Sequence, residues 1–318
     1  MALFLNEADV TRLADVRMAL EAVELAFREQ GSGQAVNEPR RRVRQPNGTL
    51  HFMAGALTQM GYWGFKAYTT TREGARFLVN LYDAASGRLL ALIEANRLGQ
   101  LRTGAASGVA TRYCARPDAG RLGLFGSGFQ AETQLEAIAA VRDLREVRVY
   151  SRTPEHRQEF AETMSRRLGL TVAPVESARA VVEDCDIVTT ITSAREPLFD
   201  GRWLAPGTHV NAAGGNALTR AEVDTATIAR ASRIFVDDKE QARIESGELL
   251  QAAERNVLNW QRVRELGDVV AGVVPGRGTP DEITLFASHG IALWDIALAA
   301  RVYEAARVAR VGQEVQLL

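Results

Sequence analysis

The stretch Arg121 to Ala131, Arg-Leu-Gly-Leu-Phe-Gly-Ser-Gly-Phe-Gln-Ala, restricts the fold more than any other part of the sequence. An apolar run (Leu122, Leu124, Phe125) leads into Gly126-Ser127-Gly128-Phe129-Gln130-Ala131, after which Ala131, Leu135 and Ile138 recur at i, i+4 and i+7. The pattern predicts a strand, a glycine turn and a helix. One glycine makes the bend, a second lets backbone approach a pyrophosphate, and the small Ala131 lets helix rest on strand. Free N–H groups and the positive end of the helix dipole then face the diphosphate. Glu146 to Tyr150 supplies a second strand one helix length later, completing a βαβ unit.

The end of that second strand bears on the cofactor. NAD sites usually place an acid there for the ribose hydroxyls, whereas an arginine accommodates the extra phosphate of NADP. Here the sequence reads Ser151-Arg152-Thr153. This favours NADP(H), with Arg152 against the phosphate and Ser151 and Thr153 as hydroxyl donors; if the three are ordinary loop residues, NAD(H) is the alternative. Further short apolar runs, Asp186 to Ser193, His209 to Gly214, Arg233 to Asp237 and Glu282 to Phe286, read as parallel strands separated by helical spacers. Their C-terminal ends would form the crevice lip, placing Thr192, Ser193, Gly215 and Asn216 near a nicotinamide.

The remainder reads as a second, α+β domain. Leu3 to Leu5 is a strand, and Val16, Leu20, Val23 and Phe27 mark an amphipathic helix ending near Gly31. The run Pro39 to Gly48 holds four arginines in five residues, most simply a solvated strand edge, or else the source of one arginine reaching an anion. Tyr62 to Thr69 alternates as a strand with Lys66 in apolar and aromatic surroundings, where an ammonium must be paired or functional. Two more strands, Ala75 to Tyr82 and Arg88 to Glu94, precede a helix over Leu98 to Tyr113 whose Gly104-Ala105-Ala106-Ser107-Gly108 segment permits close backbone approach. A turn at 115–119, with Pro117 inside it and Gly120 just after it, marks the boundary, and Ile291 to Val311 reads as a long helix returning to the first domain. The expected domains are therefore residues 1–115 with 290–318, a discontinuous α+β domain, and residues 116–289, for the dinucleotide.

With 318 residues, 46% of them hydrophobic and 24% charged, the chain can bury two cores. A net charge of −1 gives no reason to expect nucleic acid or an anionic surface as partner. No apolar run reaches membrane-spanning length, and the N-terminus lacks a signal-peptide pattern, so a cytoplasmic protein with reduced Cys114 and Cys185 is expected. His51, His156, His209 and His289 lack ligand spacing, so no metal site is expected.

Taken in order, Pro39-Arg40, Gly64-Phe65-Lys66, Leu101 to Ala105, the glycine turn, and Asn211 to Asn216 followed by Arg220-Ala221-Glu222-Val223-Asp224 resemble the ornithine cyclodeaminase/mu-crystallin family over nearly the whole chain. The resemblance implies a homodimer with a Rossmann-type doubly wound parallel sheet and a discontinuous α+β domain, residues 1–115 with 290–318, that serves substrate binding and dimerisation. It also implies that Arg40, Lys66 and Arg102 hold a substrate carboxylate, Arg42 being the second choice for the first position. An arginine fork suits a carboxylate, and further cations neutralise it. The cofactor set on this reading is Arg102, Thr103, Gly126, Ser127, Gly128, Phe129, Gln130, Ser151, Arg152, Thr153, Thr192 and Ser193.

Asn216 is where the chain departs from the cyclodeaminases, which resemble Gly-Gly-Asp there; an amide cannot act as a general base. The expected activity is an NADP(H)-dependent imine or ketimine acid reductase, or amino acid dehydrogenase. Lys66 would act as proton donor or as a purely electrostatic clamp, with Asn216 at the reacting end. True ornithine cyclodeamination with catalytic NAD, and a non-catalytic NADP-dependent binding protein, are the alternatives. Met53, Tyr68 and Phe77, with Trp294 or His289, are expected to line the substrate pocket.

Overall fold

The computed structural model describes residues 1–316. Contacts divide them into two compact units, Met1–Arg102 with the segment from Ile291 onward, and Thr103–Gly290. The first division falls inside the helix Asn96–Cys114 rather than at the turn near residue 115. The later half of that helix groups with the second unit because Gly104 has no side chain: a Cβ there would stand 2.2 Å from the Thr133 carbonyl oxygen. The Gln134 amide also donates to the Thr103 carbonyl at 3.2 Å.

In the first unit, seven strands form one sheet in the order Gln313–Val315, Ala2–Leu5, Leu89–Glu94, Gly74–Asp83, Tyr62–Thr71, Gly48–Leu57, Ala35–Gln45. The last five form an antiparallel meander. Alternation fixes the two faces: Met53, Lys66 and Val79 stand side by side on three neighbouring strands and are buried. The helix Ala292–Ala309 lies on that face beside Val16–Gly31, and the rings of Phe27 and Trp294 meet edge to face at 5.2 Å. The opposite face leaves Val36, Val43, Leu50, Phe52 and Trp63 between 42% and 60% exposed. The C-terminal strand Gln313–Val315, which no sequence pattern had announced, closes the sheet antiparallel to Ala2–Leu5.

The arginine-rich run lies in the edge strand Ala35–Gln45, where the register shifts between Glu38 and Arg41. Pro39 sits in this bulge, where its missing N–H costs no ladder bond. Arg40 is thereby turned inward and is 4% exposed, while Arg41 and Arg44 point to solvent.

The second unit is a doubly wound, wholly parallel sheet. Its order is Val263–Glu265, Arg233–Val236, Thr284–Ala287, His209–Ala212, Ile187–Thr190, Arg121–Phe125, Glu146–Tyr150, Val172–Pro174. The winding reverses between Arg121–Phe125 and Ile187–Thr190, which makes the C-terminal ends of those two strands the switch point where ligands of such sheets bind. No helix among the described residues is long and apolar enough to cross a membrane. Cys114 and Cys185 are free, buried thiols, each pushed up to about 12 by burial.

Candidate active site

In the first unit a cluster of charges forms around one carboxylate. Lys66 Nζ donates to Asp295 Oδ1 at 2.8 Å and Arg102 Nε to the same oxygen at 3.2 Å. Asp295 has no exposed surface, Lys66 is 2% exposed and Arg102 8%. Asp295 Oδ2 takes no hydrogen bond among the described residues. Arg40 Nε rests against the Met53 sulfur at 3.3 Å. Desolvation brings the Lys66 ammonium down to about 8. Asp295 opposes that shift, and the cations Arg102 and Arg40 add to it.

Aromatic rings complete the cluster. Lys66 Nζ stands 5.0 Å from the Phe77 centroid and 5.7 Å from that of Tyr68, and the Arg102 guanidinium lies 5.7 Å from Trp294. His51 stacks on Tyr68 at 4.1 Å, and burial beside Arg42, Arg40 and Arg44 holds its ring down to about 4, so it is neutral at ordinary pH. Of the expected pocket residues, Met53, Tyr68, Phe77 and Trp294 belong to this unit. His289 lies in the second, its ring and backbone N–H on Asp237.

Sequence reading missed Asp295. Its signal is a lone acid in the apolar helix segment Ala292-Leu293-Trp294-Asp295-Ile296-Ala297, where a buried charge must have a partner. Nothing in local spacing named that partner, because Lys66 lies 229 residues away.

The second unit holds the expected cofactor residues other than Arg102, which belongs to the first unit and pairs with Asp295 there. Gly126 adopts φ 116°, and a Cβ there would meet the Ile191 carbonyl at 2.6 Å, so only glycine makes this turn. Gly128 caps the helix Phe129–Ala139 with no side-chain hydrogen bond, and the space at its Cβ position is open. The cap residue itself thus brings no side chain over the helix N-terminus, which leaves room for a phosphate there. The Ser127 hydroxyl donates to Ser151 at 2.9 Å, and that of Ser151 to the Thr153 carbonyl at 3.2 Å, tying the glycine turn to the second strand end. Arg152 is exposed there. A second, unforeseen arginine braces this loop: buried Arg157 donates to the Ser151 carbonyl at 2.9 Å, pairs with Glu176 and lies 5.5 Å from the Tyr150 ring. Thr192 is half-buried and Ser193 exposed beyond the strand Ile187–Thr190, and Gly215 and Asn216 follow His209–Ala212. No group of three or more His, Cys, Asp or Glu among the described residues could hold a metal ion.

A Rossmann-type unit with an open glycine turn, joined in one chain to a mostly antiparallel unit carrying a buried Lys–Asp–Arg cluster, defines a class of nicotinamide-type fold. Comparison with known proteins sharpens this. The profile of the ornithine cyclodeaminase/mu-crystallin family matches residues 1–309, and the chain belongs to that family. It is 33% identical to the iminosuccinate reductase of Paracoccus denitrificans, over 99% of this chain and 100% of the relative. The solved Δ1-pyrroline-2-carboxylate reductase of Thermococcus litoralis, in complex with NADH and L-proline, is 36% identical with a TM-score of 0.93, over 98% of this chain and all of that one. An archaeal alanine dehydrogenase dimer with bound NAD is 33% identical with a TM-score of 0.94, over 100% of this chain and 99% of that one. These relatives are oxidoreductases that act at C–N bonds.

Proposed function

We propose that this protein is an NADP(H)-dependent reductase of an imine or ketimine acid, reversible as an amino acid dehydrogenase. The observation that carries the reading is the buried Lys66 amine. It is held by Asp295, beside Arg102 and Arg40, with its proton brought down to about 8. Such a group is protonated at neutral pH yet gives up its proton readily. Arg40 and Arg102 bind and orient the substrate carboxylate, and Lys66 delivers a proton to the substrate nitrogen. Residues 126–130 and 151–153, with Thr103, Thr192 and Ser193, would hold a reduced nicotinamide dinucleotide, which when bound would supply the hydride to the imine carbon. Asp295 keeps the amine charged until the proton leaves, and the surrounding rings exclude water. An amide at Asn216 offers no base for cyclodeamination.

The preference for NADP(H) rests on Arg152 and on the lack of an acid at the strand end. The two solved relatives are described with NADH and NAD, so cofactor choice is the finer part of the proposal. A homodimer, with a second copy covering the apolar sheet face at Phe52 and Trp63, accords with the dimeric relative.

The test follows cofactor oxidation when the protein meets NADPH or NADH and a panel of cyclic imino acids, alongside ammonia release from ornithine with catalytic NAD. Imine-dependent NADPH oxidation supports the proposal. Ornithine-dependent ammonia release overturns it in favour of cyclodeamination, and cofactor binding without turnover favours a binding protein. Arg152→Asp is expected to shift preference from NADPH toward NADH by about tenfold or more, a loss of one charged phosphate contact; parent protein that already prefers NADH removes Arg152 from this role.

A further inference from the structure

We propose that Glu222 is a positioning residue for hydride transfer, a fully buried carboxylate that ties together the two strand ends at the reacting end of the crevice. This rests on the function proposed above. The two strands are neighbours in the parallel sheet, with Thr190 in register with Ala212, and the chain continues from them to Thr192 and to Gly214. Glu222 Oε1 accepts from the Thr192 backbone N–H at 2.6 Å and from its hydroxyl at 2.7 Å. Oε2 accepts from the Gly214 N–H at 2.7 Å and from the Thr190 hydroxyl at 2.8 Å. One carboxylate therefore spans both strand ends.

The requirement is for a carboxylate and not merely a polar group. Each oxygen takes a backbone N–H, and a backbone N–H cannot reverse its role as a hydroxyl can. A glutamine would set its NH2 against one of them, leaving a buried donor facing a donor. Gly214 tightens the junction: a Cβ there would lie 2.2 Å from the Thr192 carbonyl and 2.6 Å from Glu222 Oε1. The segment bearing Glu222 is itself fixed, since Glu248 Oε2 accepts from the Glu222 N–H at 2.8 Å and the Leu198 N–H donates to the Glu222 carbonyl at 2.9 Å.

The clamp adjoins the glycine turn, because Ile191, next to Thr192, is the residue whose carbonyl packs on Gly126 and whose N–H donates to Phe125 at 2.9 Å. Phosphates held at residues 126–128 leave the other end of a dinucleotide to run along the next strand ends. Thr192 and Gly214 are therefore where a nicotinamide ring is aimed, and Glu222 sets their separation without touching it.

The experiment compares parent and Glu222→Gln for NADPH and NADH affinity, steady-state imine reduction, and the deuterium isotope effect on kcat with cofactor deuterated at the transferred position. Glu222→Gln is expected to hold cofactor within about threefold in Kd while kcat falls about 10- to 100-fold, the cost of a misplacement near 1 Å. The isotope effect on kcat should rise as hydride transfer becomes rate-limiting. A folded Glu222→Gln protein with the parent's kcat overturns the role, as does a loss of affinity equal to the loss of kcat. If Glu222→Gln does not fold, Thr190→Val decides. It keeps shape and removes one donor, and a fall in kcat at unchanged Kd upholds the clamp, whereas an unchanged kcat overturns it. A parent that binds neither NADPH nor NADH overturns the crevice reading and this role together; a parent that turns over normally beside an equally active Glu222→Gln overturns this role alone.

Discussion

Asp295 in the first unit and Glu222 in the second are both completely buried carboxylates, and the two are held in opposite ways. Asp295 faces cations, Lys66 and Arg102 sharing its Oδ1. Glu222 faces two backbone N–H groups and two hydroxyls, and burial raises its proton affinity above the ordinary carboxylate range despite them. Fixed dipoles suit a carboxylate that holds backbone in place, because they do not move or titrate. A cation partner suits one that serves chemistry, because charge can leave the pair as a proton leaves Lys66. On the proposed function, the same side-chain chemistry serves as a positioning device in one unit and as a proton-handling device in the other.

Removing Asp295 should break the contrast most severely. Asp295→Ala leaves Lys66 and Arg102 buried without their counter-charge, and urea unfolding is expected to show a loss of about 3–5 kcal/mol. A loss under about 1 kcal/mol would mean that the two cations find other partners. Lys66→Met should come next, lowering kcat by about 10²-fold or more with cofactor affinity nearly unchanged, as expected for a lost proton donor. Equal loss of NADPH affinity would move Lys66 out of the substrate site.

The pH dependence sharpens the comparison further. Imine reduction needs the Lys66 proton and should fall as pH rises through about 8, while amino acid oxidation needs the free amine and should rise there. Lys66 and Lys239 are the two lysines of the chain, so carbon-13 lysine labelling reads this titration directly by NMR. A Lys66 signal titrating near 10 would contradict the assignment. On the other side, Glu248, against the Glu222 N–H, is pushed by burial from 4.5 to about 7. The folded state then binds a proton more tightly than the unfolded chain between those values. Stability should therefore fall as pH rises from about 4.5 to 7, by at most about 3 kcal/mol. Glu248→Gln should flatten that slope in urea titrations at pH 5 and pH 7.5. The smallest effect expected is that of Arg40→Ala, a rise in KM of about tenfold with little change in kcat, since one carboxylate contact serves ground and transition states alike.

Much of this was legible in the chain. The strand, glycine turn and helix at 121–139 could be read because every requirement there is local: two glycines, one small residue and an apolar period. Lys66 announced itself by being charged among aromatics, and the basic run by its density. Which arginine of that run turns inward was not legible, since a bulge at Pro39-Arg40 decides it and a bulge depends on the neighbouring strand. Asp295 and Glu222 were each in view, one as an acid in an apolar helix and one inside a recognised motif, but neither had a visible partner. The boundary between units moved into a continuous helix, because side-by-side packing at Gly104, not a turn, decides which half belongs where.

The sequence by itself thus determined the elements, the cofactor turn and the residue types available for chemistry, because period, glycine and charge act over a few residues. Tertiary structure alone decided the pairing of Lys66 with Asp295 across 229 residues and of Glu222 with Thr192 across 30. The physical reason is desolvation: a charge removed from water must find its partner in space, and distance along the chain carries no information about which one it will be.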